Sequence, residues 1–232
     1  MAKKGGSSHL KRVAVPRAVH IKRKTTVWSA KPVAGPHRAE EAIPLISVVR
    51  DILQLADNAQ EAKTIIKTGS ILVDGRRVKS VNFPVGLMDI ISVPALDKYY
   101  RVTIDKKGRL KLDEIKKDDA SFKLCRIERK ITGKGGVILL GLHDGRSQIA
   151  DNTYHVGDTL KISIPQQKII AKYALEPGMR CLITGGKHTG DFAIIEEVLR
   201  GTQTRESETK LKTENSTFTT VTRYVFTVGD AL

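Results

Sequence analysis

The chain has 232 residues, with 40 Lys and Arg against 25 Asp and Glu, a net charge of +15 at neutral pH. A chain this basic repels itself unless a polyanion neutralises it, and nucleic acid or an anionic membrane surface is the partner such charge implies. Its longest apolar stretch, 137–142, falls far short of the roughly 20 residues a membrane helix needs, and an aromatic share of only 5% points to modest cores of Ile, Val and Leu.

The first residues carry charge with no apolar region after them, so no signal peptide is expected. Two cysteines, Cys125 and Cys181, are too few for a zinc ribbon or a disulfide framework, and a reducing, cytoplasmic compartment is the default. Composition shifts divide the chain into four segments, 1–42, 43–94, 95–173 and 174–232, with net charges of +8, +1, +7 and −1.

Segment 1–42 holds Lys11, Arg12, Arg17, Lys22, Arg23, Lys24 and Lys31, interrupted by Pro16, Pro32 and Pro36. Proline blocks a continuous helix, and the few apolar residues keep no sustained period. An extended basic arm is expected, unable to fold alone and ordered only against a phosphate-rich surface. The plainer alternative is a solvated tail. Trp28 weighs against it, because a lone Trp among cations suits an anchor or a stacking face.

In segment 43–94, Ser47 is expected to cap a helix with Val48, Val49, Ile52, Leu53, Leu55 and Ala56 on one face, broken at Asp57-Asn58. Asn58 and Glu61 have capping-box spacing for a second helix with Ala59, Ala62, Ile65 and Ile66 inward, ended by a left-handed Gly69. Ile71 and Val73 alternate, Asp74-Gly75 makes a type I′ hairpin turn, and Val78 begins the return strand. Lys63 and Lys67 lie one helical turn apart, and Arg76, Arg77 and Lys79 follow the turn. Helix and hairpin could present one cationic surface, although on charge alone these residues read as ordinary solvated surface. The text from Glu61 to Val78, with Asp89–Val93 as a closing strand, resembles the alpha-L RNA-binding motif shared by ribosomal proteins, tyrosyl-tRNA synthetases and pseudouridine synthases.

From Tyr99 onward short strands are expected at 100–104, 122–131, 137–142 and 159–164, separated by Gly and Asp turns, as in a small β-barrel or sandwich. Farther on, Gly178, Cys181 and Ile183 begin a strand, 185–190 forms a tight glycine loop with Lys187 and His188 at its tip, and 193–198 returns. This resembles a KOW motif, with Ala193 where that motif commonly has a second glycine. The Thr/Glu/Lys-rich stretch after Gly201 is expected to be loop, and Tyr224, Phe226 and Val228 to form a last strand.

No assembled catalytic set is legible. Thr132–Gly136 lacks the spacing and the Lys-Ser/Thr end of a phosphate loop, and the six histidines are dispersed without metal-ligand spacing. His143-Asp144-Gly145-Arg146 is the most catalytic-looking tetrad, but Asp-Gly is first of all a turn.

Taken in order, His9–Arg12, Pro16-Arg17, Trp28, Lys31-Pro32, Gly35–His37, Ile43–Leu45, Lys123–Glu128, Leu142–Arg146, Val156–Asp158 and Gly185–Gly190 resemble the archaeal and eukaryotic e-type family of small-subunit ribosomal protein four. The likeness covers about 9–200, with a departure at His20-Ile21, and the short C-terminal tail is more like archaeal members. The resemblance implies an α+β protein: a basic extended arm, an alpha-L module, a central small β-barrel or sandwich, and an SH3-like β module of KOW type. It implies a structural constituent of the small subunit, in the cytoplasmic ribosome, with ribosomal RNA and neighbouring ribosomal proteins as partners. No enzyme activity, cofactor, metal, small-molecule substrate or membrane partner is expected. Arg126 and Arg146, within the matched blocks, join the arm, helix–hairpin and loop residues as candidate RNA contacts. Two other classes fit the sequence less well. A pseudouridine synthase with a fused alpha-L domain needs a sizeable catalytic domain, where this chain has two small β units. A polybasic membrane-surface protein needs an amphipathic basic helix, which the arm's prolines deny.

Overall fold

A computed structural model describes Ser7, residues 9–213 and residues 216–229. The chain's start, on which the signal-peptide expectation turns, lies outside the described residues. Contacts divide the chain into two compact units, the first running to Thr103 and adding Arg109–Ala120, the second comprising Ile104–Gly108 and the remainder from Ser121. Strands dominate and helices are few. No helix among the described residues is long and apolar enough to cross a membrane.

The first unit opens with a short antiparallel pair, β1 (Leu10–Lys11) on β2 (Trp28–Ser29). After β3 (Ile43–Pro44), the chain turns into α1 (Leu45–Ser47), which continues as a wider π-helical turn over Val48–Ile52. Ser47 therefore does not cap this helix. It lies inside it, buried, and Pro44 holds the flanking extended position. The wider turn shows in the Leu53 amide bonding to the Val48 carbonyl at 2.9 Å, and the segment ends where Gln54 takes a φ of 52°. Leu55 and Ala56 thus lie beyond the helix, and the break comes before Asp57.

The second helix follows its local signals. In α2 (Ala59–Thr68), Glu61 reaches back to the amide of Asn58, and Ala62 and Ile66 are fully buried. Gly69 ends it in the left-handed region, at φ 77°, which L side chains rarely adopt. The hairpin β4 (Leu72–Val73) to β5 (Arg76–Arg77) turns at Asp74 (φ 49°) and Gly75 (φ 72°), the two positive angles a type I′ turn requires. The return strand is Arg76–Arg77, and Val78 follows it. Next come β6 (Pro84–Val85), paired with β3, then β7 (Ile90–Val93), β8 (Lys98–Ile104) and β9 (Leu110–Ile115), giving a sheet in the order β5-β4-β7-β8-β9.

Two further sequence expectations fail in this unit. The boundary at 94/95 does not divide the contacts, because β8 pairs with β7 in register Ile91↔Tyr100. The segment 1–42 is not an arm that lacks a core. Val15 and Val19 are buried in one cluster with Leu45, Val49, Ile66 and Ile71, and the Leu110 amide bonds to the Ala18 carbonyl at 2.8 Å. Farther along, His37 is buried with its Nε2 2.9 Å from Asp89 Oδ1. A Cβ on Gly86 would lie 2.3 Å from the His37 ring, so this approach needs glycine. Proline excludes a helix here but leaves isolated Val side chains able to dock.

The second unit contains two five-stranded antiparallel sheets. One is built from β10 (Phe122–Thr132), β11 (Ile138–Leu142), β12 (Ser147–Ala150), β13 (Thr159–Ser163) and β14 (Ile169–Tyr173). The long β10 pairs with β13 along its first half and with β11 along its second, with an irregularity between Ile127 and Arg129 that bends it. The other is built from β15 (Arg180–Ile183), β16 (Phe192–Leu199), β17 (Glu208–Lys212), β18 (Thr217–Val221) and β19 (Val225–Thr227). The expected loop after Gly201 is thus largely the β17–β18 hairpin. β19 is buried at all three residues rather than alternating, and Tyr224 precedes it. Residues 121–173 of the segment expected at 95–173 share this unit with the segment expected at 174–232: Thr227 Oγ1 meets Thr159 Oγ1 at 2.7 Å in a buried contact.

Candidate nucleic-acid interface

The helix–hairpin end of the first unit brings separate cations together. Lys63 and Lys67 are exposed one turn apart on α2. Arg76 and Arg77 are exposed on β5, an edge strand, and Lys79 is exposed just after it. Gly69 joins the two elements: a Cβ there would sit 3.7 Å from Arg77 Cδ, so the Arg77 stem lies across the end of α2, next to its last turn with Lys67. Cations near a helix C-terminus also meet its negative dipole end. Glycine at position 69 serves the left-handed turn; a Cβ there would only touch the Arg77 stem at ordinary contact distance.

The N-terminal cations divide. Lys11, Arg17, Lys22, Arg23 and Lys24 are exposed. Arg23 Nη1 donates to the Val13 carbonyl at 3.0 Å. Arg12 is buried, its Nε donating to the Lys22 carbonyl and its Nη1 to Thr26 Oγ1 at 3.2 Å. Arg12 thus clamps the 12–26 loop. Lys31 is half-buried and bonds to the Ser7 carbonyl. Trp28 is 54% exposed, with the His9 ring 5.4 Å away.

In the second unit, Arg126 Nη1 bonds to the Arg223 and Val225 carbonyls, the latter at 3.3 Å, and Nη2 lies 3.4 Å from Glu128. Its guanidinium ties the two sheets together, a structural task the sequence did not show. Arg146 lies 3.2 Å from Asp144, whose carboxylate also meets Lys123 at 3.0 Å with both of the latter side chains buried. Burial alone would raise the Asp144 pKa, but the charges of Lys123, His143 and Arg146 outweigh it and hold the carboxyl below its usual value. The Asp144-Gly145 turn is as expected, with Gly145 at φ 74°, whereas Lys123 was missed because a lysine on a strand reads as surface.

At the glycine loop, Lys187 is exposed, and Thr189 Oγ1 closes the turn on the Gly186 carbonyl at 2.7 Å. The His188 ring stacks on Phe218 at 3.9 Å, so one of its faces is covered by β18. Phe218 belongs to the stretch read as loop, which is why that contact was not foreseen.

The helix–turn–hairpin order with its sheet defines an S4-domain protein: residues 48–91 match the S4 domain model. Residues 4–40 match the RS4NT (NUC023) domain, and residues 96–169 match the Ribosomal family S4e. Small ribosomal subunit protein eS4 of Methanosphaera stadtmanae is 48% identical over 230 residues, covering 99% of this chain and 95% of that protein. Its counterpart in Methanocaldococcus jannaschii is 47% identical over 239 residues, covering 99% and 97%. The crystal structure of the 30S ribosomal protein S4e from Thermoplasma acidophilum aligns with a TM-score of 0.71 at 33% identity, covering 82% of this chain and 95% of that one. The chain belongs to the ribosomal protein S4e family.

Proposed function

We propose that the protein is a structural constituent of the small ribosomal subunit that docks on ribosomal RNA through several basic surfaces, in the cytoplasm, beside other ribosomal proteins. The observation that carries this reading is the cationic end of the S4 domain, where the Arg77 stem lies against Gly69 at the end of the helix that exposes Lys63 and Lys67. Lys and Arg at such a surface neutralise backbone phosphates and release counterions. Folded RNA is recognised mainly by shape, single-stranded elements and 2′-hydroxyls, so extensive base readout is unnecessary. The five-stranded sheet of 122–173 is read as the small central β-barrel, and the sheet of 180–227, with Lys187 at its glycine loop, as the SH3-like module of KOW type.

The protein is read as non-catalytic. Asp144, the one acid weighed as a nucleophile, is buried and ion-paired to Lys123 and Arg146, which supports a structural role. Incubation with uridine-labelled ribosomal RNA is expected to yield no pseudouridine, and product that disappears in Asp144→Ala would overturn that reading. For the function itself, crosslinking in cells followed by sequencing of the bound RNA is expected to recover small-subunit ribosomal RNA. Recovery chiefly of transfer or messenger RNA would contradict it.

A further inference from the structure

Within the first unit a cleft of about 350 Å³ opens between residues 25–30 and the helical segments. That volume lies in the range of roughly 300–1,000 Å³ typical of small-molecule sites. The chain's single tryptophan, Trp28, is on its wall and 54% exposed. Its backbone is fixed by pairing with Lys11 in β1, so the ring is carried by a held strand rather than a loose loop. Burying so large an apolar face would normally stabilise a fold, and here about half of it stays exposed, with the His9 ring 5.4 Å away.

The opposite side is polar. Arg50 holds both oxygens of Asp51 at 2.9 Å, and Asp57 and Asn58 complete the wall. The amide of Asp57 is occupied by Glu61, while its own carboxylate is exposed. The wall carries both signs, Arg12 and Arg50 beside Asp51 and Asp57, and the Arg50–Asp51 pair neutralises itself, which leaves the exposed Asp57 carboxylate to accept N–H donors from the base of a nucleotide. Lys22, Arg23 and Lys24 are exposed and immediately precede the wall segment 25–30 in the chain.

We propose that this cleft takes an unpaired RNA base, stacked on Trp28 with its donor edge toward Asp57, while the flanking phosphates lie on the 22–24 cations. The inference rests on the RNA-binding function proposed above and adds a single-strand site to it. An exocyclic amino group on the base, as in adenine, cytosine or guanine, supplies the donor that the carboxylate accepts. Uracil offers one N–H between two carbonyls, which face a carboxylate unfavourably.

Because Trp28 is the only tryptophan, its emission in the full-length protein reports on the cleft directly. Titration with a short single-stranded oligoadenylate is expected to quench it to saturation, with several-fold weaker binding of oligouridylate. Stacking contributes about 1–3 kcal/mol per base, so Trp28→Ala, followed by anisotropy of a labelled oligoadenylate, should weaken its binding by about 5- to 150-fold while leaving a fully paired duplex unaffected, and Trp28→Phe should restore most of it. Asp57→Asn should erase the preference for adenylate over uridylate. Salt-sensitive binding of ribosomal RNA with no change in Trp28 emission would overturn this inference and leave the ribosomal function standing. Absence of all RNA binding by the wild type would overturn both. Quenching by an aromatic peptide but not by oligoadenylate would assign the cleft to a protein partner instead.

Discussion

At the scale of single residues, the buried ion pair of the second unit is the most sensitive point. Lys123 and Asp144 have side chains 1% and 0% exposed, so each charge is tolerable only because it is paired. Lys123→Met alone leaves Asp144 with Arg146 as its remaining cation and is expected to cost about 3–5 kcal/mol in urea denaturation. Replacing both partners with apolar residues should recover a large part of that loss. The same pair imposes a pH dependence. The Asp144 pKa is lowered in the fold, so its stabilising contribution is present above the unfolded carboxylate pKa and is lost as pH falls through the folded value. Melting curves should show stability declining below about pH 4, less steeply in Asp144→Asn. Cys181 shifts the other way: burial pushes its thiol up to about 12. It stays protonated near neutrality, and alkylation at pH 8 is expected only after denaturation. The Asp-Gly turn was legible in the sequence because a turn is written in adjacent residues. The Lys123 pairing was not, because its partner lies 21 positions away.

At the scale of elements, the same contrast recurs. Asn58 with Glu61, Gly69, and Asp74-Gly75 each act within a few residues, and α2 and its hairpin fold as these signals require. The first helix was misread at both ends. Its start depends on the packing of Leu45 and Ile46 rather than on a cap, and a π-helical turn shifts the face that periodicity would assign. In β17 the alternation was present, with Thr209 and Leu211 buried and Lys210 and Lys212 exposed, but the charged and Thr-rich composition hid it. The N-terminal segment is the largest difference. Its docking uses Val15, Val19 and His37, three residues without a shared period. Limited proteolysis of the free protein should therefore spare the segment 10–42, and Val15→Asp should expose it to cleavage. Rapid loss of that segment from the wild type would contradict the docked arrangement.

At the scale of the whole molecule, the +15 charge is unevenly used. Arg12 and Arg126 bind protein carbonyls and Lys123 neutralises Asp144, so charge alone overstates the surface available to RNA. The cations that remain exposed on α2, β5 and the residues after them are the sharpest test of RNA docking. For a protein that neutralises Z phosphates, log K falls with log salt at a slope of about −0.7Z to −0.9Z. Changing Lys63, Lys67, Arg76, Arg77 and Lys79 together to Gln leaves the core of Val49, Ile66, Ile71 and Val73 untouched, and exposed substitutions of this kind usually alter stability by less than about 0.5 kcal/mol each. The decisive measurement is a salt titration of binding to small-subunit ribosomal RNA by the wild type and this variant, with melting curves as control. A slope flattened by up to about 3.5 to 4.5 with an unchanged melt is expected. An unchanged slope with an unchanged melt would mean that these side chains are merely solvated and that the S4 domain does not dock on RNA through this surface.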